Sequence, residues 1–254
     1  MTEPVRAAFD IETVSPQLSL AEFPDFEDSR QFEMLAGAVA YDYPDGDRES
    51  VVHWRDGWGP DAELDLIERL VDALADADRM FTYNGTGFDT IHLTGRARIA
   101  GANADRREPL ERAERLLSRI DHVDLQPPAN DAFGSYTSLE EALSAVGIEP
   151  AETDPTAFDH GVGPAGWATS PETPVQSKDV ARLGEVYLDT VPTGDGDSST
   201  STVGRDYTET AHRDRQFPDG THETVDHEAL EAMLTHYARG DVADLFDLAD
   251  ARPF

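Results

Sequence analysis

The chain has 254 residues, enough for one large domain or two small ones, and no cysteine, which excludes disulfides, thiolate zinc sites and cysteine nucleophiles. Asp and Glu number 52 against 20 Lys and Arg, a formal net charge of −32, and composition alone would ordinarily argue against a nucleic-acid partner. No stretch is apolar for long enough to span a membrane and the first residues do not form a signal peptide, so a cytoplasmic protein is expected.

So acidic a chain is either disordered or folded in an unusual solvent. The apolar segments are periodic, which favours a folded core. A high-salt, halophilic cytoplasm then accounts for the charge, because at about 1 M salt the Debye length falls to roughly 3 Å and surface repulsion is screened. In such a solvent an acidic surface is a weak objection to a nucleic-acid partner.

In chain order, Val5 to Ile11 has the pattern of a buried strand. Met34 to Tyr43 and Ser50 to Trp54 are two more, joined by the turn Pro44-Asp45-Gly46-Asp47, so an antiparallel meander is expected. Asp61 to Ala75 carries Leu64, Ile67, Leu70, Val71 and Leu74 at helical spacing. A short strand at Arg79 to Tyr83, helices at Phe88 to Ala100 and Pro109 to Ile120, a strand-like His122 to Leu125 and a helix at Ser138 to Val146 follow. Residues 147–222 are rich in Pro, Gly, Ser, Thr and Asp. They are expected to be a polar insertion or lid, with one helix at Lys178 to Thr190 and a flexible loop at about 191–205. Asp226 to Ala251 closes the chain as a long helix. The order predicts an α/β fold, a mixed central sheet flanked by helices, in a single domain over 1–254.

Three segments carry candidate chemistry. In Asp10-Ile11-Glu12 the two acids lie two apart on a strand and project from one face, at what looks like the rim of a sheet. A pair of solvated strand-end acids is the plainer reading of that segment alone. In Thr82-Tyr83-Asn84-Gly85-Thr86-Gly87-Phe88-Asp89 a strand runs through a glycine-containing turn into a helix, and Asp89 alone could simply cap that helix. The Asn-Gly turn and a phenylalanine within it go beyond what a cap requires. In Tyr237-Ala238-Arg239-Gly240-Asp241 the tyrosine and the aspartate are one helical turn apart. Gly240 inside a helix costs roughly 1 kcal/mol relative to Ala, which signals a close approach there.

In that order, FDIET, YNGTGFD and YARGD resemble the three motifs of the DEDD exonucleases, in particular the proofreading exonuclease domain of family B DNA polymerases; HVDL at His122–Leu125 resembles a further strand of that family. The resemblance covers Val5 to about Val146 and the last helix. It implies an RNase H-like fold and a halophilic archaeal source. It also implies a metal-dependent 3′→5′ exonuclease acting on single-stranded nucleic acid, in repair or trimming. Without a polymerase domain in these residues, a stand-alone nuclease is expected. Four converging carboxylates would repel one another, and hard divalent cations relieve this, so two Mg²⁺ or Mn²⁺ ions about 4 Å apart are expected. By resemblance, Asp10 bridges the ions, Glu12 and Asp241 complete the site of the water-activating one, and Asp89 holds the other. Tyr237 orients the attacking water, and Thr13, Asn84 and Phe88 contact the terminal nucleotides.

His236 also satisfies a histidine version of the third motif. Helix geometry favours Tyr237, because i+4 lies about 40° from Asp241 around the axis and i+5 about 140° away. DNA is the expected substrate; an exoribonuclease is the alternative, turning on tolerance of the 2′-hydroxyl near Glu12 and Thr13. A non-catalytic nucleic-acid-binding module of the same fold is the rival from another class. Trp54 and Trp58 are expected in packing, and Arg96, Arg98, Arg106 and Arg107 form the clearest basic cluster.

Overall fold

The computed structural model describes residues 5–18, 22–191 and 224–251. Five strands form one sheet: β1 (Arg6–Val14), β2 (Glu33–Asp42), β3 (Arg48–Trp54), β4 (Arg79–Thr82) and β5 (Asp121–Asp124). Their order across the sheet is β3-β2-β1-β4-β5. β1, β2 and β3 are the expected antiparallel meander, while β4 and β5 run parallel to β1. The helices are α1 (Pro60–Ala73), α2 (Asp89–Asn103), α3 (Glu108–Arg119), α4 (Gln126–Phe133), α5 (Leu139–Ala145), α6 (Ser177–Thr190) and α7 (His227–Ala251). This is an α/β, RNase H-like arrangement, a mixed sheet covered by helices on both faces.

The alternation of β1 divides the core. Ala7, Phe9 and Ile11 point to the face covered by α1, α2 and α3, where they meet Leu64, Ile67, Leu70, Leu93 and Leu116. Ala8 and Val14 point to the opposite face, under α6 and α7. Fully burying each large aliphatic side chain contributes about 1.5–3 kcal/mol, so these layers hold the strands in register. Close approach of α1 explains Gly37, where an added Cβ would lie 2.6 Å from Leu70.

One expectation is corrected and two features are added. β1 runs on past Ile11 to Val14, so Asp10 and Glu12 are inside the strand. They still border an opening, because β4 pairs with β1 only as far as Ala8. α4 was absent from the sequence pattern: in QPPANDAF only Ala129 is buried, so no apolar stripe marks it. Where it is described, the polar segment from 147 packs against the sheet. Val162, Trp167, Val175, Val180, Leu183 and Val186 join Val14, Leu35 and Leu230 in one cluster. Buried Asp179 organises it, accepting hydrogen bonds from the backbone N–H groups of Ala168 (3.1 Å), Thr169 (2.8 Å) and Gln176 (3.1 Å). From residue 192, the expected loop at 191–205 and the rest of the segment to 222 lie outside the described residues. No helix among the described residues is long and apolar enough to cross a membrane.

Candidate metal centre

Asp10 and Glu12 stand on the α7 face of β1 between Ala8 and Val14, interrupting an otherwise apolar row. The same interruption occurs on α7. Leu230, Met233 and Leu234 pack in the cluster with Val14, whereas Ala238, Val242, Leu245 and Phe246 pack in the cluster with Ala8. Tyr237 and Asp241 occupy the seam between the two. One ligand oxygen from each of Asp10, Glu12 and Asp241 lies within 4.8 Å of the others. Glu12 is 8% exposed, and among the described residues the charges that act on the trio are those of other acids, so acid is drawn out of water here without a counter-charge.

The electrostatics follow from that burial. Asp10 is pushed well above the ordinary carboxylate range, first by desolvation and then by the charges of Asp89, Glu12 and Asp241. Glu12 is raised for the same reasons, with Asp241 its strongest charged neighbour. Asp241 rises to about 7, by burial and the charge of Glu140, while the Tyr237 hydroxyl as hydrogen-bond donor pulls the other way. Tyr237 itself is raised, by burial and then by Asp241, Glu12 and Asp10, so it remains a neutral donor.

Asp89 sits at the start of α2 and is 2% exposed. It is not among the three mutually close carboxylates. Its Oδ1 accepts a hydrogen bond from the Ile11 N–H at 2.9 Å, on the stretch of β1 that β4 no longer covers. It is raised to about 7, mainly by desolvation, with the charge of Asp124 adding to the rise. Its own charge raises Asp10, so it borders the trio.

The Asn84–Phe88 turn that carries Asp89 is built for tight backbone. Asn84 has φ 65°, the left-handed region that asparagine tolerates. A Cβ at Gly85 would fall 2.2 Å from Thr82 Oγ1, and one at Gly87 2.5 Å from Asn84 Oδ1. Asp124, at the end of β5, pins the turn by accepting from the N–H groups of Asn84 and Thr86, both at 2.9 Å. Sequence reasoning saw Asp124 only as part of a strand. An acid closing a short strand was the available signal. Glu140, on α5, was missed altogether.

The other expected contacts divide. Thr13 is half-buried on β1, just past an irregularity in the β1–β2 pairing where β2 carries the extra residue Leu35. Such irregularities re-aim side chains beside a site. Phe88 is half-buried against Phe32 (ring centroids 5.3 Å apart) and His92 (4.3 Å). His236 faces away from the carboxylates: its Nδ1 bonds Thr153 Oγ1 at 2.8 Å and its ring meets Phe158. The close approach at Gly240 is made by the protein itself, since a Cβ there would lie 2.9 Å from Ala151 Cβ. Trp54 and Trp58 are packed, their indole N–H groups bonded to Thr235 (2.9 Å) and Asp189 (2.8 Å). The basic cluster is not a single patch, because Arg96 is buried against Glu63 and Arg106 is paired with Asp65 and Glu68.

A cleft of about 600 Å³ opens beside Asp241 and Tyr237, walled by Leu139, Glu140, Val175 and Asp244. An all-oxygen, buried and mutually repelling donor set suits a hard divalent cation, and the three carboxylates fit that requirement.

No model of a known protein family matches the chain, and no curated protein matches it. Among solved structures, a family B DNA polymerase from the hyperthermophilic archaeon Pyrobaculum calidifontis is similar at 28% identity over 39% of this chain, with a TM-score of 0.30. The similar region spans 11% of that polymerase's length.

Proposed function

We propose that this chain is a metal-dependent 3′→5′ exonuclease that hydrolyses phosphodiester bonds of single-stranded DNA. The observation that carries the reading is the Asp10–Glu12–Asp241 trio, Glu12 buried and the other two half-buried in the seam between two apolar clusters, with no basic partner in the group. Asp10, Glu12 and Asp241 would hold one Mg²⁺ or Mn²⁺, and Asp89, beside Asp10, would help hold a second. When bound, such ions lower the pKa of a water and stabilise the departing 3′ oxygen. Tyr237, kept neutral and one helical turn from Asp241, positions the attacking water through its hydroxyl. Asn84 and Thr13 lie on the two segments that bear Asp89 and the β1 acids, where the terminal nucleotides would be held. Phe88 supports the Asn84 turn from its packed position. The order of the three motifs supports the same reading. A halophilic cytoplasm and a role in DNA repair belong to this proposal as well.

The test is degradation of end-labelled single-stranded DNA and RNA with Mg²⁺ or Mn²⁺ in concentrated KCl. Release of mononucleotides from the 3′ end of DNA is expected, with loss on chelation. RNA trimmed in preference to DNA would reassign the substrate. Folded protein inactive on both, with either metal, would refute the enzyme.

A further inference from the structure

Two exposed aromatic positions flank the Tyr83–Phe88 segment. On one side Phe23 is 88% exposed and Phe26 48%; on the other Tyr136 is 93% exposed. Together with Phe133 they are the exposed large hydrophobic side chains among the described residues.

Neither group is loosely attached. His92 Nε2–H donates to the Phe26 carbonyl at 3.0 Å, which leaves Nδ1 to accept from the Ser29 hydroxyl at 2.9 Å. Arg96 donates to the Ser29 carbonyl at 3.0 Å. The segment bearing Phe26 is therefore fastened to α2, the helix that begins at Asp89. Phe23 meets Phe26 edge-on with centroids 5.8 Å apart, and Phe26 meets Phe88 at 6.3 Å. Tyr136 is held outward by a backbone at φ 66°, which a ring-bearing residue rarely adopts. Its neighbour Thr137 receives a hydrogen bond from Tyr83 Oη–H at 2.7 Å, and the Thr137 N–H donates to Asn130 Oδ1 at 2.9 Å. Both aromatic positions are thus fixed to the two ends of the turn that carries Asn84 and leads into Asp89.

Basic groups for an ionic grip on a strand are few, 20 Lys and Arg against 52 Asp and Glu. The chain has one lysine, and the arginines Arg6, Arg79, Arg106 and Arg112 are engaged by the chain's own carboxylates. We propose that this protein holds single-stranded nucleic acid chiefly by stacking unpaired bases on Phe23–Phe26 and on Tyr136, with phosphate contacts secondary. The inference rests on the exonuclease reading for its ligand class. Every base offers a ring face, so the grip is tolerant of sequence, and it is largely independent of salt because few counterions are released.

The probe is a fluorescent oligothymidylate with a hydrolysis-resistant 3′ phosphorothioate end, compared with an abasic strand of the same length, bound to the full chain by anisotropy. Binding of the thymidylate is expected to change less than about tenfold when KCl is raised about tenfold, and the abasic strand is expected to bind more weakly throughout. Tyr136→Ala and Phe23→Ala should each weaken binding roughly 5- to 150-fold, the value of one stacked base, while Tyr136→Phe stays near wild type. Equal binding of the abasic strand, a steep salt dependence, no binding by the wild type, or alanine variants that bind as the wild type does would each overturn the proposal. Hydrolysis of a small chromogenic nucleotide ester with Mn²⁺ is the separate check on the exonuclease reading. It depends on the carboxylates and needs no strand to be held. Its absence in the wild type would sink the nuclease while leaving the binding result to stand by itself.

Discussion

Two groups of buried carboxylates occupy opposite faces of one sheet and are neutralised in different ways. Under α1 and α2, Glu63 is 1% exposed and is gripped by Arg96 at 2.7 and 2.8 Å, and it also accepts the Met34 N–H at 2.9 Å. Arg55 pairs with Glu33 beside it at 2.8 Å. Burial alone would raise Glu63, but Arg55 and Arg96 bring it below its ordinary value. Under α7, Glu12 is buried and Asp10 and Asp241 are half-buried with no such partner in the group, and all three are raised. The first group is complete within the chain. The second lacks such a partner within the group, and its three carboxylates could hold a cation. What distinguishes the two groups is the presence or absence of a counter-charge, a distinction that the count of acids cannot make.

The largest effect that would break this comparison is on turnover. Asp241→Asn is expected to lower nuclease activity by at least about a thousandfold while leaving the metal-free protein as stable as, or more stable than, the wild type. The stability gain, read by thermal melting, follows from removing a buried and unmatched charge. Glu63→Gln is its mirror image. It leaves Arg96 without its bidentate partner and should cost about 3–5 kcal/mol by denaturant titration, with activity per folded molecule retained.

Acidity should separate the two groups next. Asp89 and Asp241 have folded-state values near 7 against ordinary values of 3.8, so the native state binds more protons between those limits. Metal-free protein should therefore lose stability as pH rises from about 4 to about 7, and Mn²⁺ should abolish that slope. Glu63 works in the opposite sense, its contribution being lost as pH falls through its depressed value. Melting curves with and without Mn²⁺ across this range would contradict the scheme if the metal-free slope were flat or reversed between pH 4 and 7.

The smallest expected effect concerns orientation. Tyr237→Phe should reduce activity roughly ten- to hundredfold with metal affinity little changed, as for a partner that positions a bound water, whereas His236→Ala should leave the rate within about twofold. Equal losses in the two variants would shift the water-positioning role away from Tyr237.

Much of this architecture was legible in the sequence for identifiable reasons. The strands of the meander are apolar runs separated by turn residues, and α1 and α7 carry apolar positions at helical period, so their existence followed from pattern. The face shared by Asp10 and Glu12 followed from strand geometry, and the orientation of Tyr237 over His236 from helix geometry. Partner-dependent features were not legible. Asp10 and Glu12 suggested the end of β1 because acids end strands in water, yet α7 covers them. Gly240 signalled a close approach without saying that Ala151 makes it. The average polarity of residues 147–190 hid Trp167, Val175 and Leu183, which are few in number but all directed at the sheet. Asp124 acts through the backbone of another segment, and no local pattern records such a contact.

The seam between the two apolar clusters has a consequence for assembly. The trio draws on the first strand and the last helix of the described chain, the elements farthest apart in sequence. An ion bound there would act as a clasp that closes a loop of most of the chain, so its binding would be coupled to the folded state. Metal affinity would then serve as a gauge of whether the two ends of the molecule are fastened together.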